Sequence, residues 1–198
     1  LVIVGRSRWG RTHRVNLIRL NREQEEIENR GVSKLFIVSR KEIDSEIKNN
    51  VHQGILLKCK SLKQISLEEI NKNEKNIVIL DSLNDSQNVG SILRTSYLFG
   101  IKTIISNKDN SFKINPFLIK SASGAFEKIN FIEVINLNRT VEKLKKMGYW
   151  IVGFDMNAKK NISEVPKDLK KVLIFGSEGK GIRPLILKNC DFKTKISL

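Results

Sequence analysis

The sequence predicts an α/β fold in which a parallel sheet carries helices on both faces, preceded by a small α/β domain. From Asn76 onwards, short apolar segments alternate with amphipathic ones, the pattern of repeated strand–helix units. The 198 residues exceed the roughly 100–150 of a common domain and suit a small domain joined to a larger one. With 40% hydrophobic residues, the chain has enough apolar side chains to bury a core.

The small domain is predicted over residues 1–57. Residues 23–29 are polar and favour a helix that Gly31 can end. Residues 32–38 are apolar and predict a strand, and residues 51–57 predict a loop that enters another strand. These segments together make one small α/β unit.

Residues 58–75 are polar and rich in Lys, Glu and Asn, so they are predicted to link the small domain to a larger one over residues 76–198. Six apolar segments of the larger domain are predicted as strands: residues 77–80, 101–105, 131–135, 150–154, 172–175 and 192–196. Four amphipathic segments are predicted as helices: residues 88–99, 116–123, 140–147 and 182–188. Ligands of parallel sheets bind beyond the carboxyl ends of the strands, so a site is expected in the loops that follow them.

The chain is strongly basic, with 36 Lys and Arg against 21 Asp and Glu and a net charge of +15. This excess favours a polyanionic partner, and nucleic acid is the leading candidate. The other interpretation is a composition biased by coding, with lysines that only keep the protein soluble. Four arginines near the start are predicted to contact RNA phosphates as an arm: Arg6, Arg8, Arg11 and Arg14. The alternative for this segment is a solvated helix face or a frayed terminus.

Cys59 and Cys190 are the two cysteines of the chain. They lie far apart and have no His or Cys at metal-ligand spacing, so the sequence predicts neither a disulfide framework nor a metal site and fits the reducing cytoplasm. No apolar run approaches the roughly 20 residues of a membrane span, and no membrane partner is expected. An amphipathic organellar transit segment stays an open alternative.

The first candidate site segment follows a predicted strand and opens a predicted helix. Asn88 is expected to cap this helix, and Gly90 to let a phosphate or ribose approach the N–H groups of its first turn. Arg94 lies about one and two-thirds turns further on and could reach back over the same opening. The alternative is a surface arginine that pairs with Asp81 or Asp85.

The second candidate segment, residues 176–181, has the sequence GSEGKG and follows another predicted strand. A Walker loop needs Lys and then Ser or Thr after its last glycine, whereas Ile182 and Arg183 stand here. A dinucleotide fingerprint is also excluded, because the segment runs into Pro184. The residues predict a tight turn that exposes its backbone and holds Glu178 at its tip, or a structural turn with a solvated glutamate.

Five segments, in order along the chain, resemble the SpoU/TrmH family of RNA 2'-O-methyltransferases in the SPOUT superfamily. They are residues 51–55, 81–100, 120–125, 150–153 and 176–181. The first resembles the junction in the ribosomal RNA guanosine branch, where a small ribosomal-protein-like domain precedes the catalytic one. The resemblance implies a SPOUT-type trefoil-knotted sheet, S-adenosylmethionine as cofactor, a homodimer and a cytoplasmic location. Residues 196–198 match only the beginning of the family's third motif, so an incomplete cofactor pocket is expected.

The resemblance also implies the reaction, methyl transfer from S-adenosylmethionine to a ribose 2'-hydroxyl, in a guanosine of 23S ribosomal RNA. Arg94 matches the family's catalytic arginine, either as a base deprotonated on desolvation or as a cation that stabilises the developing alkoxide. Asn88 would position ribose or phosphate, and Glu178 would orient Asn88, Arg94 or the nucleotide. The backbone of three residues would hold the cofactor: Gly176, Ile196 and Leu198. Two alternatives are a tRNA 2'-O-methyltransferase and a non-catalytic RNA-binding or ribosome-assembly module.

Overall fold

The computed structural model describes residues 2–6, 35–47, 55–57, 65–71, 73–109 and 112–196. The chain divides into two compact units, Leu1–Ser61 and Leu62–Leu198. The described residues form a three-stranded sheet in the first unit and a seven-stranded sheet in the second.

The first unit contains strands β1 (Val2–Arg6), β2 (Leu35–Ser39) and β3 (Ile55–Leu57) and helix α1 (Arg40–Glu46). Strand β1 lies in the middle, parallel to β2 and antiparallel to β3. Helix α1 starts directly after β2 because Ser39 and Glu42 form a capping box, in which the Ser39 N–H donates to the Glu42 carboxylate at 2.6 Å. The buried Ile43 turns one side of α1 inwards.

The arginine-rich start is partly described. Arg6 is the last residue of β1, and its backbone pairs with Ser39 of β2. The residues before Arg6 favour a β-strand, but the many charged residues that follow hide this signal in the sequence. Three of the predicted RNA contacts lie outside the described residues, Arg8, Arg11 and Arg14, as does the helix predicted over residues 23–29.

The second unit alternates strands with helices, and the predicted parallel α/β sheet is confirmed. Its strands are β4 (Asn76–Asp81), β5 (Thr103–Asn107), β6 (Asn130–Val134), β7 (Trp150–Phe154), β8 (Lys160–Asn161), β9 (Lys171–Gly176) and β10 (Phe192–Lys195). Its helices are α2 (Ser86–Leu98), α3 (Pro116–Ala122), α4 (Leu137–Lys146) and α5 (Pro184–Lys188). Every pairing is parallel, in the order β6-β5-β4-β9-β7-β10-β8. Among the described helices, none combines the length and the apolar character needed to cross a membrane.

Both faces of the sheet are covered, which explains why inner strands such as β4 and β5 are almost continuously buried. In β4, Ile77 and Ile79 belong to a core that includes residues of α4 and α5. Val78 and Leu80, which alternate with them, belong to a second core that includes residues of α2 and α3. Each of these four side chains is at most 1% exposed, and full burial of such a side chain contributes about 1.5–3 kcal/mol.

Two helices begin earlier than the sequence predicts, because a residue upstream provides the N-cap. Asp85 caps α2 by accepting the Gln87 N–H at 2.8 Å, so Asn88 is the third residue of the helix and its prediction as the cap is wrong. Asn136 caps α4 in the same way, accepting the Arg139 N–H at 3.1 Å. A carboxylate beside the positive end of the helix dipole also favours the earlier start of α2.

Candidate active site

Strands β4 and β9 are neighbours in the sheet, and both candidate segments follow them at the carboxyl edge. The last residues of the two strands, Asp81 and Gly176, pair directly. Helix α2 begins five residues after β4 ends, and the second segment leaves β9 at once. The topology therefore places the two segments side by side at the edge where parallel sheets bind their ligands.

A side-chain hydrogen bond joins the two segments. The Asn88 Nδ2 amide donates to Oε1 of Glu178 across 90 residues of chain. Asn88 is half-buried in the first turn of α2, whereas Glu178 is exposed at the tip of its turn. The contact leaves the amide oxygen of Asn88 available as an acceptor, so the pair can hold a hydroxyl group in place.

Residues 176–181, called the glycine turn from here on, fold back on themselves as a tight loop. The Gly181 N–H donates to the Ser177 carbonyl at 2.8 Å, and the Ser177 N–H donates to the Gly181 carbonyl at 3.2 Å. Gly181 has a φ of +65°, a conformation that favours glycine. A Cβ on Gly176 would lie 2.0 Å from the Gly181 carbonyl carbon, so this position has room for no side chain.

Arg94 does not pair with either aspartate that sequence analysis considers. Asp81 binds Arg183, with 2.7 Å between its Oδ1 and the Arg183 Nε, and Asp85 caps α2. The Arg94 side chain is exposed, and it makes no hydrogen bond or ion pair with another residue that the structure describes. The guanidinium is therefore available to a ligand on the surface of α2.

The structure does not bring Arg94 into contact with Asn88 or Glu178. Six residues along an α-helix turn the chain by about 600°, so Arg94 lies about 120° around the axis from Asn88 and about 9 Å further along it. The two side chains flank the first turns of α2 from different sides. Of the three predicted catalytic residues, Asn88 and Glu178 are therefore in contact, and Arg94 lies beside them on α2.

Gly90 serves a different purpose from the predicted one. A Cβ at this position would lie 2.5 Å from the Cβ of Ser121 and 2.7 Å from the Leu118 carbonyl oxygen. Helix α3 occupies the space that was assigned to a phosphate or ribose. The Ser121 hydroxyl also donates to the Gln87 carbonyl at 2.9 Å, so α3 fixes the start of α2 and with it Asn88.

The residues predicted to hold the cofactor end strands on either side of β7. Gly176 ends β9, and Ile196 follows β10 and is exposed, while Leu198 lies outside the described residues. The ladder between β7 and β9 stops at the pair Gly153 and Ile174, although β9 continues to Gly176 beside β4. Backbone groups of the described strand ends that face the β7–β9 gap therefore lack ladder partners and can bind a ligand.

Stacked aromatic rings lie at the same strand ends. Phe154 of β7 and Phe175 of β9 have ring centroids 4.6 Å apart and an interplanar angle of 13°. Main-chain donors and acceptors beside aromatic rings suit the adenine and ribose of a nucleoside. The described residues of the site therefore fit a nucleoside cofactor bound mainly by backbone groups.

Cys190, between α5 and β10, is a half-buried thiol that hydrogen-bonds to the Ile186 carbonyl at 3.4 Å. Burial, and next the charge of Asp191, raise the pKa of this thiol to about 11. The thiolate fraction at pH 8 is then about a hundredfold below that of an ordinary thiol.

We expect iodoacetamide to modify Cys190 about a hundredfold more slowly in the folded chain than in urea, as followed by peptide mass spectrometry. The rate should rise about tenfold from pH 9 to pH 10, and a plateau at pH 9 would contradict the shift.

The parallel sheet and the two segments joined at its edge are typical of an enzyme that binds a nucleoside cofactor there. The strongly basic charge of the chain indicates that this enzyme acts on nucleic acid. Residues 75–198 match the model of the SpoU rRNA Methylase family. The chain belongs to this family.

Relatives and solved structures agree with this assignment. The 23S rRNA (guanosine-2'-O-)-methyltransferase RlmB of Coxiella burnetii is 36% identical over 171 residues, covering 83% of this chain and 68% of that protein. An uncharacterized tRNA/rRNA methyltransferase of Borreliella burgdorferi is 32% identical over 188 residues, covering 88% of this chain and 82% of that protein. The structure of the SpoU methyltransferase AviRb from Streptomyces viridochromogenes with AdoMet has a TM-score of 0.70 at 16% identity, covering 100% of this chain and 72% of that one, and thus shares the fold.

The predicted family, enzyme class and cofactor are confirmed. The chain is an RNA methyltransferase that uses S-adenosylmethionine. Sequence analysis missed Arg183 as a partner of the site, although a charged residue directly before Pro184 and after the glycine turn is a visible signal. It also missed Ser121, whose contact with α2 depends on the packing of two helices.

Proposed function

We propose that the chain methylates the ribose 2'-hydroxyl of a guanosine in 23S ribosomal RNA. The observation that carries the proposal is the hydrogen bond between Asn88 and Glu178, which joins the two candidate segments at the ligand-binding edge of the sheet. The choice of substrate is supported by the similarity to the RlmB protein of Coxiella burnetii and by the net charge of +15.

Asn88 and Glu178 act on the nucleotide as a pair. With Nδ2 bound to Glu178, the Oδ1 atom of Asn88 accepts a hydrogen bond from the ribose hydroxyl and orients its oxygen. Arg94 approaches from the exposed surface of α2. It either takes the hydroxyl proton as a desolvated base or, as a cation, stabilises the alkoxide and the neighbouring phosphate.

Gly176, Ile196 and Leu198 are proposed to hold the cofactor through their backbone. When bound, S-adenosylmethionine supplies an electrophilic methyl group, whose bond to sulfur breaks as the bond to the ribose oxygen forms. The tight glycine turn keeps the backbone at Gly176 fixed. The methyl donor and the ribose hydroxyl can therefore be aligned without a loss of conformational entropy in this loop at each turnover.

The organisation of the chain completes the proposal. Residues 1–57 bind the RNA substrate, residues 58–75 link the domains, and residues 76–198 form a trefoil-knotted SPOUT methyltransferase domain. A separate compact unit over Leu1–Ser61 supports this division. Phosphate contacts are assigned to four arginines, Arg6, Arg8, Arg11 and Arg14, and the active form is a cytoplasmic homodimer.

The test uses transcripts made in vitro, which carry no methyl groups. The full-length protein is incubated with S-adenosylmethionine labelled in its methyl group and with 23S, 16S or transfer RNA transcripts. We expect label in 23S RNA alone, at one guanosine, as mapped by nuclease digestion and mass spectrometry. The Arg94→Ala variant serves as the control for background transfer.

Other outcomes would select another function. Label in transfer RNA alone would support the tRNA methyltransferase, a substrate class that the name of the Borreliella burgdorferi relative also includes. Salt-dependent RNA binding without any methyl transfer would support the non-catalytic RNA-binding module.

A further inference from the structure

Asp81 is a fully buried carboxylate at the last position of β4, an inner strand of the sheet. A buried charge is costly unless hydrogen bonds and an opposite charge compensate it. Both oxygens of Asp81 have such partners. Arg183 donates its backbone N–H to Oδ2 at 2.8 Å and its Nε–H to Oδ1 at 2.7 Å.

A second residue fixes Asp81 from the other side. Ser82 donates its hydroxyl to Oδ1 of Asp81 at 3.2 Å and has a φ of +61°, a conformation that is uncommon outside glycine. The backbone N–H of Ser82 donates to Oδ1 of the buried Asn107 at 3.1 Å, at the end of β5. The position of the Asp81 carboxylate is therefore set by two neighbouring strand ends.

Asp81 contacts the chain at both ends of the glycine turn. Its first residue, Gly176, is the ladder partner of Asp81 in β9. Two residues after its last glycine, Arg183 returns to the Asp81 carboxylate, and α5 then starts at Pro184. The start of the turn therefore pairs with the backbone of Asp81, and the residue that follows its end binds the Asp81 side chain.

We infer that Asp81 and Arg183 are positioning residues for the active site. They hold the glycine turn in the conformation that places Glu178 against Asn88 and fixes the backbone at Gly176. Neither residue has to touch the RNA or the methyl donor. The role of the pair in catalysis rests on the proposed function, whereas its role in holding the turn does not.

The experiment measures the turn and the reaction separately. In the Arg183→Ala variant, the Asp81 carboxylate keeps the backbone N–H and loses the guanidinium. We expect amide hydrogen exchange at Ser177 and Gly181 to become about tenfold faster, because the turn opens more often. Arg183→Lys, which keeps a positive charge, should restore part of the protection. Asp81→Asn, which keeps the shape of the side chain, provides a second variant if Arg183→Ala does not fold.

The chain contains a matched control for the loss of such a pair. Asp191 accepts the Ile151 N–H at 2.8 Å and binds Lys145 at 2.7 Å, the same combination of one backbone donor and one cation. Lys145→Ala removes this cation from α4, on the other face of the sheet from α2. In the Lys145→Ala variant, the rate of amide hydrogen exchange at Gly181 should stay within about twofold of the rate in the unmodified chain.

Methyl transfer provides the second readout. Glu178→Ala should lower kcat/KM about tenfold in the unmodified chain but less than about twofold in the Arg183→Ala background, because the turn no longer presents Glu178 there. Equal losses in both backgrounds, or unchanged exchange in Arg183→Ala, would overturn the inference. Absence of methyl transfer by the unmodified chain would refute the proposed function and leave the exchange measurement as the test of the pair.

Discussion

Replacing Arg94 by Ala is expected to lower kcat for methyl transfer about 10²–10³-fold, the usual loss when a group that stabilises developing negative charge is removed. The free energy of unfolding should change by less than about 0.5 kcal/mol, because the side chain is exposed and binds no other described residue. Methyl-transfer kinetics on the RNA transcript and urea denaturation measure the two quantities.

Arg139 is the matched control, an exposed arginine on α4, which packs on the opposite face of the sheet from α2. Arg139→Ala should leave kcat within about twofold of the unmodified chain, as is usual for a surface substitution. A rise in KM for RNA in both variants, with kcat unchanged, would show that the charge of Arg94 acts only on general RNA affinity.

Arg94→Lys distinguishes the two roles left open for this residue. If Arg94 acts as a cation, lysine keeps the charge and should retain part of the activity, although without the fork of donors that a guanidinium presents. A loss as large as that in Arg94→Ala would exclude a purely electrostatic role. The measurement is kcat at saturating S-adenosylmethionine and RNA.

Gly176→Ala is expected to have the second large effect, since the added methyl group has no space. Its Cβ would lie 2.0 Å from the Gly181 carbonyl carbon and 2.2 Å from the Ile182 nitrogen, and both are backbone atoms. The glycine turn must move away from β9, at a cost of about 1–3 kcal/mol in unfolding free energy. Affinity for S-adenosylmethionine should fall in parallel, as measured by calorimetric titration.

Gly179→Ala controls for any substitution in the turn. A Cβ at this position meets nothing within 4 Å, and Gly179 is not among the glycines with positive φ. The unfolding free energy should stay within about 0.5 kcal/mol of the unmodified chain. A similar loss in both variants would mean that the turn is sensitive to any side chain rather than to contact at Gly176.

The inner strands of the second unit could be predicted because burial on both faces makes them mostly apolar. Residues 150–154 form β7 as predicted, and the other predicted strands lie within one or two residues of the observed ends. Strand β8 has two residues, Lys160 and Asn161, and no apolar pattern marks it. The start of α2 was misplaced because Asp85 and Asn88 are both good caps, and the three-dimensional path of the chain decides between them.

The site could be predicted only as far as local signals reach. Glycines and the position after a strand mark both segments, and the edge of a parallel sheet brings them together. The position of Arg183 before Pro184 marks it as a candidate partner of Asp81, but the choice between Arg94 and Arg183 depends on the register of β4 and β9. Gly90 was misassigned because the space beside it is filled by α3, and this packing leaves no local signal in the sequence.

The strand order also determines when the enzyme becomes competent during its own synthesis. Strand β9 lies between β4 and β7, although both precede it along the chain. It must therefore insert between two strands that are synthesised before it, and such late, non-local pairing is slow. Because this strand ends at Gly176 and leads into the turn that carries Glu178, a nascent chain lacking it has no assembled site, and catalytic activity begins only after β9 has closed the gap between β4 and β7.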